Sequence, residues 1–376
     1  MNDRKIASLQ VLRGVAALMV VSHHAGRAVS ARRPEDLVYT DFSIILSEII
    51  ELGSVGVDLF FVLSGFLMLH IAEPYFRGQR SVFDFLLQRV VRVWPLYLVA
   101  TFVALIPALA TLVRTGVMGY DLTPYRLLGL VFVPTFNANG GIQPILGVGW
   151  TLSYEFLFYL AFAAILPFGR PHALVRLAAV LLALHGVGQI LGSSAMGHFL
   201  RSDLLLEFFA GGTIAILFQR GLLRFGAGAA LIAAGGVLLL GSTLLPASNV
   251  PRAVAFGVPA CLAFTGFLTL EGRVAWPSWL LLVGDASYAL YLFHTLLLYR
   301  VANAVMRPLF AHGHPEIGMV AAFAAAVLTA LVVGIGAHFA IERRLQAIIA
   351  GWLRENRNAN SRKSVAPPSV AGGTTA

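Results

Sequence analysis

The sequence predicts an all-α, polytopic membrane protein with about ten transmembrane helices and one short re-entrant or interfacial segment. Of its 376 residues, 58% are hydrophobic and 12% are charged, and the mean hydropathy is +0.80. A soluble domain normally carries about 25% charged residues. Apolar runs recur at close to the ~20 residues that a membrane-spanning helix needs. Because these runs are continuous and do not alternate, they argue against an outer-membrane barrel.

Ten runs are long enough to be spans, and one is not. Residues 126–136, RLLGLVFVPTF, are too short to cross a bilayer and lead into the uncharged stretch NANGGIQPILGVG. We therefore expect a re-entrant or interfacial segment there. The basic N-terminus has no small-residue cleavage site after its apolar run, so the run is expected to stay as the first span. The expected spans are 7–27, 52–71, 89–112, 148–168, 176–192, 203–219, 225–245, 252–270, 285–303 and 317–341.

The distribution of basic residues predicts the orientation. The formal net charge is +9, but no compact basic domain is present that would bind nucleic acid. With the N-terminus in the cytosol, the inner loops hold about twice as many Lys and Arg as the outer loops, as the positive-inside rule requires. Both termini are then cytosolic. Residues 1–350 form one membrane domain, and the polar segment 351–376 is expected to be a disordered cytosolic tail.

The first predicted span contains two candidate functional residues. Arg13 and His24 are eleven positions apart, which places them on one helix face about 16 Å apart along the axis, whereas His23 lies about 80° off that face. His24 could accept a proton and Arg13 could bind an anion or a carbonyl. Alternatively, Arg13 reaches the headgroups from a helix end and His24 is an interfacial histidine. Spacing alone leaves both interpretations open.

The second predicted span places a carboxylate in an apolar helix. Asp58 needs a partner there, and a histidine on a neighbouring span is the expected one. Ser64 and Gly65 follow at mid-depth, with Gly65 nearly on the face of Asp58. Small residues of this kind allow helices to approach closely, so a packing role is favoured for Gly65.

Three later spans carry the remaining candidates. Arg89 and Arg92 share a face at the start of their helix and suit a phosphorylated ligand, although the positive-inside rule alone could also explain them. Glu155, five residues after Trp150, is a carboxylate in an apolar helix and must find a cation on another span. His294 lies in the middle of its span, where a structural core histidine is favoured over a binding residue.

The sequence contains no fingerprint of nucleotide or metal chemistry. It has no Gly-rich phosphate loop, no zinc-type His-Glu helix and no nucleophile-elbow serine. The one cysteine, Cys261, has no partner for a disulfide. We therefore expect no bound metal, and the candidate chemistry falls to the buried ionisable groups.

Five stretches in this order resemble acyltransferase family three, a family of integral-membrane acyltransferases. They are LRGVAALMVVSHH, GVDLFFVLSGFLM, QRVVRVWPLY, GWTLSYEFLFYL and SYALYLFH, and the resemblance runs from about residue 7 to 345. It implies a protein of the bacterial inner membrane that moves an acyl group, most often acetyl from acetyl-CoA, onto a hydroxyl of an extracytoplasmic glycan. Members that carry a fused esterase-like domain differ from this chain, so the acceptor and the acyl chain preference stay open.

The resemblance also implies roles for individual residues. The family's Arg-x10-His pair matches Arg13 and His24, which are associated with activity. His24 would act as general base or would take the acyl group itself, with Asp58 or Glu155 fixing its tautomer. The family's arginine pair at the acyl-CoA side matches Arg89 and Arg92. Its tryptophan-to-glutamate signature matches Trp150 and Glu155, and its second-span motif matches Asp58 and Ser64.

Two other functions fit the same composition. Buried Arg, His, Asp and Glu could form a proton or solute relay in a proton-coupled transporter, although no inverted repeat is visible. The chain could also be a structural subunit of a polysaccharide-export assembly. Turnover of labelled acetyl-CoA separates an enzyme from both.

Overall fold

The computed structural model is all-helical over the residues it describes, which are 6–32, 41–117, 124–137, 140–223, 225–243 and 250–365. This confirms the predicted helical class. Within these ranges, extended backbone pairs only at an isolated bridge between Phe136 and Ile142. The α-helices are α1 (Ala7–Ser30), α2 (Asp41–Gly53), α3 (Val55–Ile71), α4 (Glu73–Phe76), α5 (Val82–Thr115), α6 (Pro124–Leu127), α7 (Trp150–Ile165), α8 (Ala173–Ile190), α9 (Ala195–Leu200), α10 (Leu205–Gln219), α11 (Gly228–Thr243), α12 (Val258–Thr269), α13 (Ser278–Asp285), α14 (Ser287–Phe293), α15 (Thr295–Ala311), α16 (Pro315–Ala337) and α17 (Arg343–Val365).

Fewer helices than expected are both long and apolar enough to cross a membrane. Five stretches of the described chain qualify, or six if the bent pair α14–α15 counts as one span. The helix α1 is long enough but is not among them, because Gln10, Arg13, His23 and His24 lower its hydropathy. Ten spans therefore remain a prediction. The five stretches are Phe42–Ile71, Val82–Thr115, Gly147–Phe168, Ala173–Ile190 and Pro315–Leu353.

Two predicted segments are shaped differently from a straight span. The span expected at 285–303 is broken into α14 and α15, which meet at His294 with a bend of 61°. The segment expected not to cross, 126–136, contains only a helical turn, a 3-10 turn at Leu128–Val131 and irregular backbone. It is fixed to α5, because Trp94 Nε1 donates to Leu130 O at 2.8 Å and the Tyr97 hydroxyl donates to Gly129 O at 2.9 Å.

Small residues bring the central helices together. A Cβ atom on Gly65 of α3 would lie 1.9 Å from Phe208 O of α10, and one on Gly211 of α10 would lie 2.0 Å from Val62 O of α3. The two backbones therefore touch at reciprocal glycines, as small-residue helix interfaces do in membranes. The packing role predicted for Gly65 is confirmed by this contact.

The C-terminal segment of the described chain is helical. Helix α17 continues to Val365 and so includes the first part of the tail expected to be disordered, 351–365. Apolar residues in its first half, among them Leu345, Ile348 and Trp352, recur at helical spacing and favour this continuation. Residues 366–376 of the predicted tail lie outside the described residues.

Candidate active site

A cavity of about 80 Å³ lies between α1, α3, α5, α7 and α14. This volume suits a group the size of an acetyl and is well below the roughly 300–1,000 Å³ of sites for whole drug-sized ligands. Apolar side chains such as Phe60, Phe61 and Leu67 form much of its wall. The polar groups that line it are Arg13, Ser64, Arg89, Arg92, Thr151, Glu155, Tyr159, Ser287, Tyr288 and Tyr291.

Five of the predicted site residues meet in this cavity although they come from four different helices. Arg13 is on α1, Ser64 on α3, Arg89 and Arg92 on α5, and Glu155 on α7. The three guanidinium groups outnumber the one carboxylate among the lining side chains. The cavity therefore favours an anionic or electron-rich ligand.

Glu155 is held by hydroxyl groups. Ser64 Oγ donates to Glu155 Oε1 at 2.8 Å, and the Tyr159 hydroxyl one helical turn further along α7 donates to the same oxygen. We expected Glu155 to find a cation on another span, and Arg13, Arg89 and Arg92 line the same cavity. The hydrogen-bond partners of Glu155, however, are the neutral hydroxyls of Ser64 and Tyr159. Its second oxygen, Oε2, is left for a ligand or for one of these cations.

The predicted arginine pair on α5 faces the cavity with both members. Arg89 is only 6% exposed, and its guanidinium carbon lies 5.3 Å from the centre of the Phe85 ring and 6.0 Å from that of Tyr159. Its Nε has no hydrogen-bond partner among the described residues. A buried guanidinium with a free donor is a binding group for an oxygen ligand.

Arg13 is positioned by a chain of polar contacts from α13. Its Nη1 donates to Gln10 Oε1 at 3.1 Å, and Gln10 Nε2 donates to Asp285 Oδ1 at 2.6 Å. Close packing supports this arrangement, because a Cβ atom on Gly284 would lie 1.9 Å from Gln10 O. The helices α1 and α13 are therefore locked together at the level of Arg13.

His24 lies beside the cavity and not in its lining. Its Nδ1 is 3.0 Å from Val20 O, and its ring meets His294 edge-on at 4.9 Å between centroids. A carbonyl oxygen only accepts, so Nδ1 carries the proton and Nε2 is the basic nitrogen. The expectation that Asp58 or Glu155 fixes this tautomer is wrong, because the backbone of α1 occupies that position.

His294 repeats the arrangement of His24. Its Nδ1 is 2.8 Å from Tyr291 O, and its Nε2 is buried without a hydrogen-bond partner among the described residues. The Tyr291 ring lies 6.0 Å from that of His294 and itself lines the cavity. Tyr291 and His294 therefore connect the cavity to His24.

Asp58 lies in a separate cluster, and its expected histidine partner is not there. The side chain is fully buried and accepts from Arg252 Nη2 at 2.6 Å and Nε at 3.1 Å. Arg252 precedes a π-helical turn, Ala253–Gly257, that leads into α12. The partner could not be anticipated by spacing, because it is 194 positions away in the chain.

Glu207 joins this cluster and was missed by the sequence analysis. It is 2% exposed on α10, it lies against Asp58, and its oxygens accept from no donor among the described residues. A Cβ atom on Gly257 would lie 3.0 Å from Glu207 Oε1, so the glycine makes room for the carboxyl group. The criterion that selected Glu155, a carboxylate in an apolar helix, would also have selected Glu207.

Trp150 packs away from the cavity. It is the first residue of α7, and its ring lies 6.5 Å from Phe61 and 5.9 Å from Tyr154, edge-on in both cases. Its neighbour Thr151 lines the cavity in its place. Trp150 therefore packs behind the wall that Phe61 forms, outside the lining of the cavity. Within the described residues, no three His, Cys, Asp or Glu side chains are grouped as metal ligands.

These features define an all-helical protein with membrane-length apolar helices and a buried polar cavity. The chain belongs to acyltransferase family three, because the family model described as an acyltransferase domain matches residues 6–338.

Two curated proteins show this similarity directly. The exopolysaccharide production protein ExoZ of Rhizobium meliloti (strain 1021) is 36% identical over 302 residues, which cover 78% of this chain and 90% of that protein. The acyltransferase MdmB of Streptomyces mycarofaciens is 32% identical over 163 residues, 42% of this chain and 38% of that protein. No solved structure matches.

Proposed function

We propose that this protein transfers an acyl group, most simply acetyl, from acyl-CoA to a hydroxyl of an extracytoplasmic glycan. The observation that carries the proposal is the convergence of Arg13, Arg89, Arg92 and Glu155 on one cavity in a chain of the acyltransferase family. The name of the relative ExoZ points to an exopolysaccharide as the acceptor.

We assign acyl-CoA, the acyl donor, to the side of the cavity that Arg89 and Arg92 line. Arg89 and Arg92 are one turn apart and both line it, so their guanidinium groups can bind phosphate oxygens of CoA. With both termini in the cytosol, the start of α5 is the cytosolic end of its span, where CoA is available. The cavity itself would hold the acyl end of the thioester.

The acceptor hydroxyl is assigned to the side of His24. Its free Nε2 would take the proton of the hydroxyl as the oxygen attacks the thioester carbon, and the departing CoA thiolate would take up a proton. In the alternative, the same nitrogen attacks the thioester carbon, CoA leaves as the thiol with the imidazole proton, and the acceptor hydroxyl then takes the acyl group from the acyl-histidine. Arg13 would stabilise negative charge on the carbonyl oxygen during either attack.

The simplest test compares the surface polysaccharide of the host with and without this protein, scored for O-acetyl groups. The proposal predicts that deletion removes one class of acetyl group and that the wild-type gene restores it. An unchanged acyl pattern would contradict the polysaccharide acceptor. Uptake of a solute without acetyl-CoA turnover by the purified protein would instead favour a transporter.

A further inference from the structure

One serine of the cavity lining has a hydroxyl without a hydrogen-bond partner among the described residues. Ser287, the first residue of α14, is fully buried, and its Oγ is unpaired among the described residues. The other hydroxyls of the lining are already engaged. They belong to Ser64 and Tyr159, which donate to Glu155, to Thr151 and Tyr291, which bond each other and Val148 O, and to Tyr288, which donates to Val93 O at 2.6 Å.

An unpaired buried hydroxyl costs folding free energy, because the hydrogen bond that it made with water is not replaced. A hydroxyl in the lining of a cavity differs from other unpaired hydroxyls, since a bound ligand can replace that hydrogen bond. Arg89 Nε, from the same lining, is a second donor without a partner among the described residues. Because both residues line one small cavity, an oxygen acceptor bound there, such as a carbonyl or a phosphate oxygen, could satisfy either donor.

The cavity favours a carbonyl oxygen at Ser287. Its volume of about 80 Å³ and its aromatic and aliphatic walls suit a short acyl group. The guanidinium groups are the stronger partners for phosphate, whereas a neutral hydroxyl is matched to a carbonyl. The carbonyl oxygen of a thioester also gains negative charge during attack, so a fixed hydrogen-bond donor beside it lowers the activation barrier of acyl transfer.

We propose that Ser287 donates a hydrogen bond to the carbonyl oxygen of the acyl thioester. This inference rests on the proposed function, since it takes acyl-CoA as the ligand. In this proposal Ser287 contacts the substrate, and α14 forms part of the site that binds the acyl donor.

The test uses full-length protein in lipid nanodiscs with acetyl-CoA and with CoA, which lacks the carbonyl. Ser287→Ala should lower kcat for acetyl release or transfer by at least about tenfold. It should weaken binding of acetyl-CoA while leaving the Kd of CoA unchanged. Ser287→Thr, which keeps a hydroxyl, should retain more activity than Ser287→Ala.

Ser8→Ala is the matched control. Ser8 is also fully buried with an unpaired Oγ among the described residues, but it does not line the cavity. Both alanine variants should unfold at or above the wild-type temperature, because each deletes an unsatisfied hydroxyl. Only Ser287→Ala should lose activity.

Two results would overturn the inference alone. One is a fully active Ser287→Ala variant, and the other is equal weakening of CoA and acetyl-CoA binding, which would assign Ser287 to the phosphate or pantetheine part. A wild-type protein that neither binds acetyl-CoA nor turns it over would contradict the proposed function, and the inference would fall with it.

Discussion

At the scale of single residues, the polar groups of the cavity lining differ in whether they have hydrogen-bond partners. Glu155 accepts from Ser64 and Tyr159, whereas Arg89 Nε and Ser287 Oγ have no partner in the part of the chain that the structure describes. The free groups are donors, and the cavity is rich in guanidinium. The site is therefore preorganised for an acceptor-rich ligand.

Replacement of Glu155 by glutamine tests the carboxylate without changing its shape. The amide oxygen can still accept from Ser64 and Tyr159, so Glu155→Gln should fold and melt like wild type. It removes the one negative charge among the three arginines, and we expect kcat/KM for acetyl transfer to fall by at least about tenfold. The exposed Glu316 supplies the control, since Glu316→Gln should transfer at the wild-type rate.

Adjacent histidines provide a second test. His24 has its Nε2 free beside His294, whereas His23 is fixed to Ile50 O on α2. We expect His24→Ala to reduce acetyl transfer by about 10²-fold or more, as for loss of a general base. His23→Ala should retain most of the activity. Measured rates that rank the two variants in the opposite order would assign the base to His23.

At the scale of helices, close backbone contacts set the positions of the site residues. The contact of Gly65 with Phe208 O fixes α3, which carries Ser64, against α10. The contact of Gly284 with Gln10 O fixes α1, which carries Arg13, against α13. Substitutions at these glycines should therefore act on the fold before they act on chemistry.

Gly65→Ala should destabilise the protein by about 1–3 kcal/mol or more, because its Cβ has no room beside Phe208 O. Gly236→Ala is the matched change in an apolar helix, since no atom lies within 4 Å of its added Cβ. That variant should shift stability by no more than about 1 kcal/mol. Thermal unfolding in detergent measures both, and equal melting temperatures would contradict the predicted contact.

The ion pair between Asp58 and Arg252 connects α3 to the turn before α12. Arg252→Ala should cost about 1–3 kcal/mol, because it leaves a buried carboxylate without its cation, although Arg252 is itself 32% exposed. The double variant Asp58→Asn/Arg252→Ala should be more stable than the sum of the single effects. Additive losses would show that the two side chains are not coupled.

At the scale of the whole molecule, the sequence predicts the helical class and much of the cavity. Ionisable residues are costly in lipid, and that rule selects Glu155, whereas spacing on a helix face selects Arg13 and the pair Arg89 and Arg92. These residues line one cavity although they come from three helices. Membership of the acyltransferase family is also reached from short motifs that are weak singly and specific in order.

What the sequence could not predict depends on contacts between distant segments. Arg252 begins the predicted span 252–270, and nothing in its spacing indicates Asp58 as its partner. The bend at His294 has no signal in the sequence, since the apolar run 285–303 has no internal proline or glycine. Hydropathy also does not decide the number of membrane spans, because several helices are too short or too polar to qualify by length and composition.

The most direct test of the central claim uses purified protein in lipid vesicles with ¹⁴C-acetyl-CoA on one side. The acceptor is the host exopolysaccharide, stripped of O-acetyl groups by mild base and enclosed on the other side. We predict that label appears on the glycan with release of an equal amount of CoA thiol, and that Glu155→Gln lowers the rate of both by at least about tenfold. Acetyl-CoA that stays intact, or label that crosses the membrane without becoming bound to glycan, would contradict the assignment as a membrane acyltransferase.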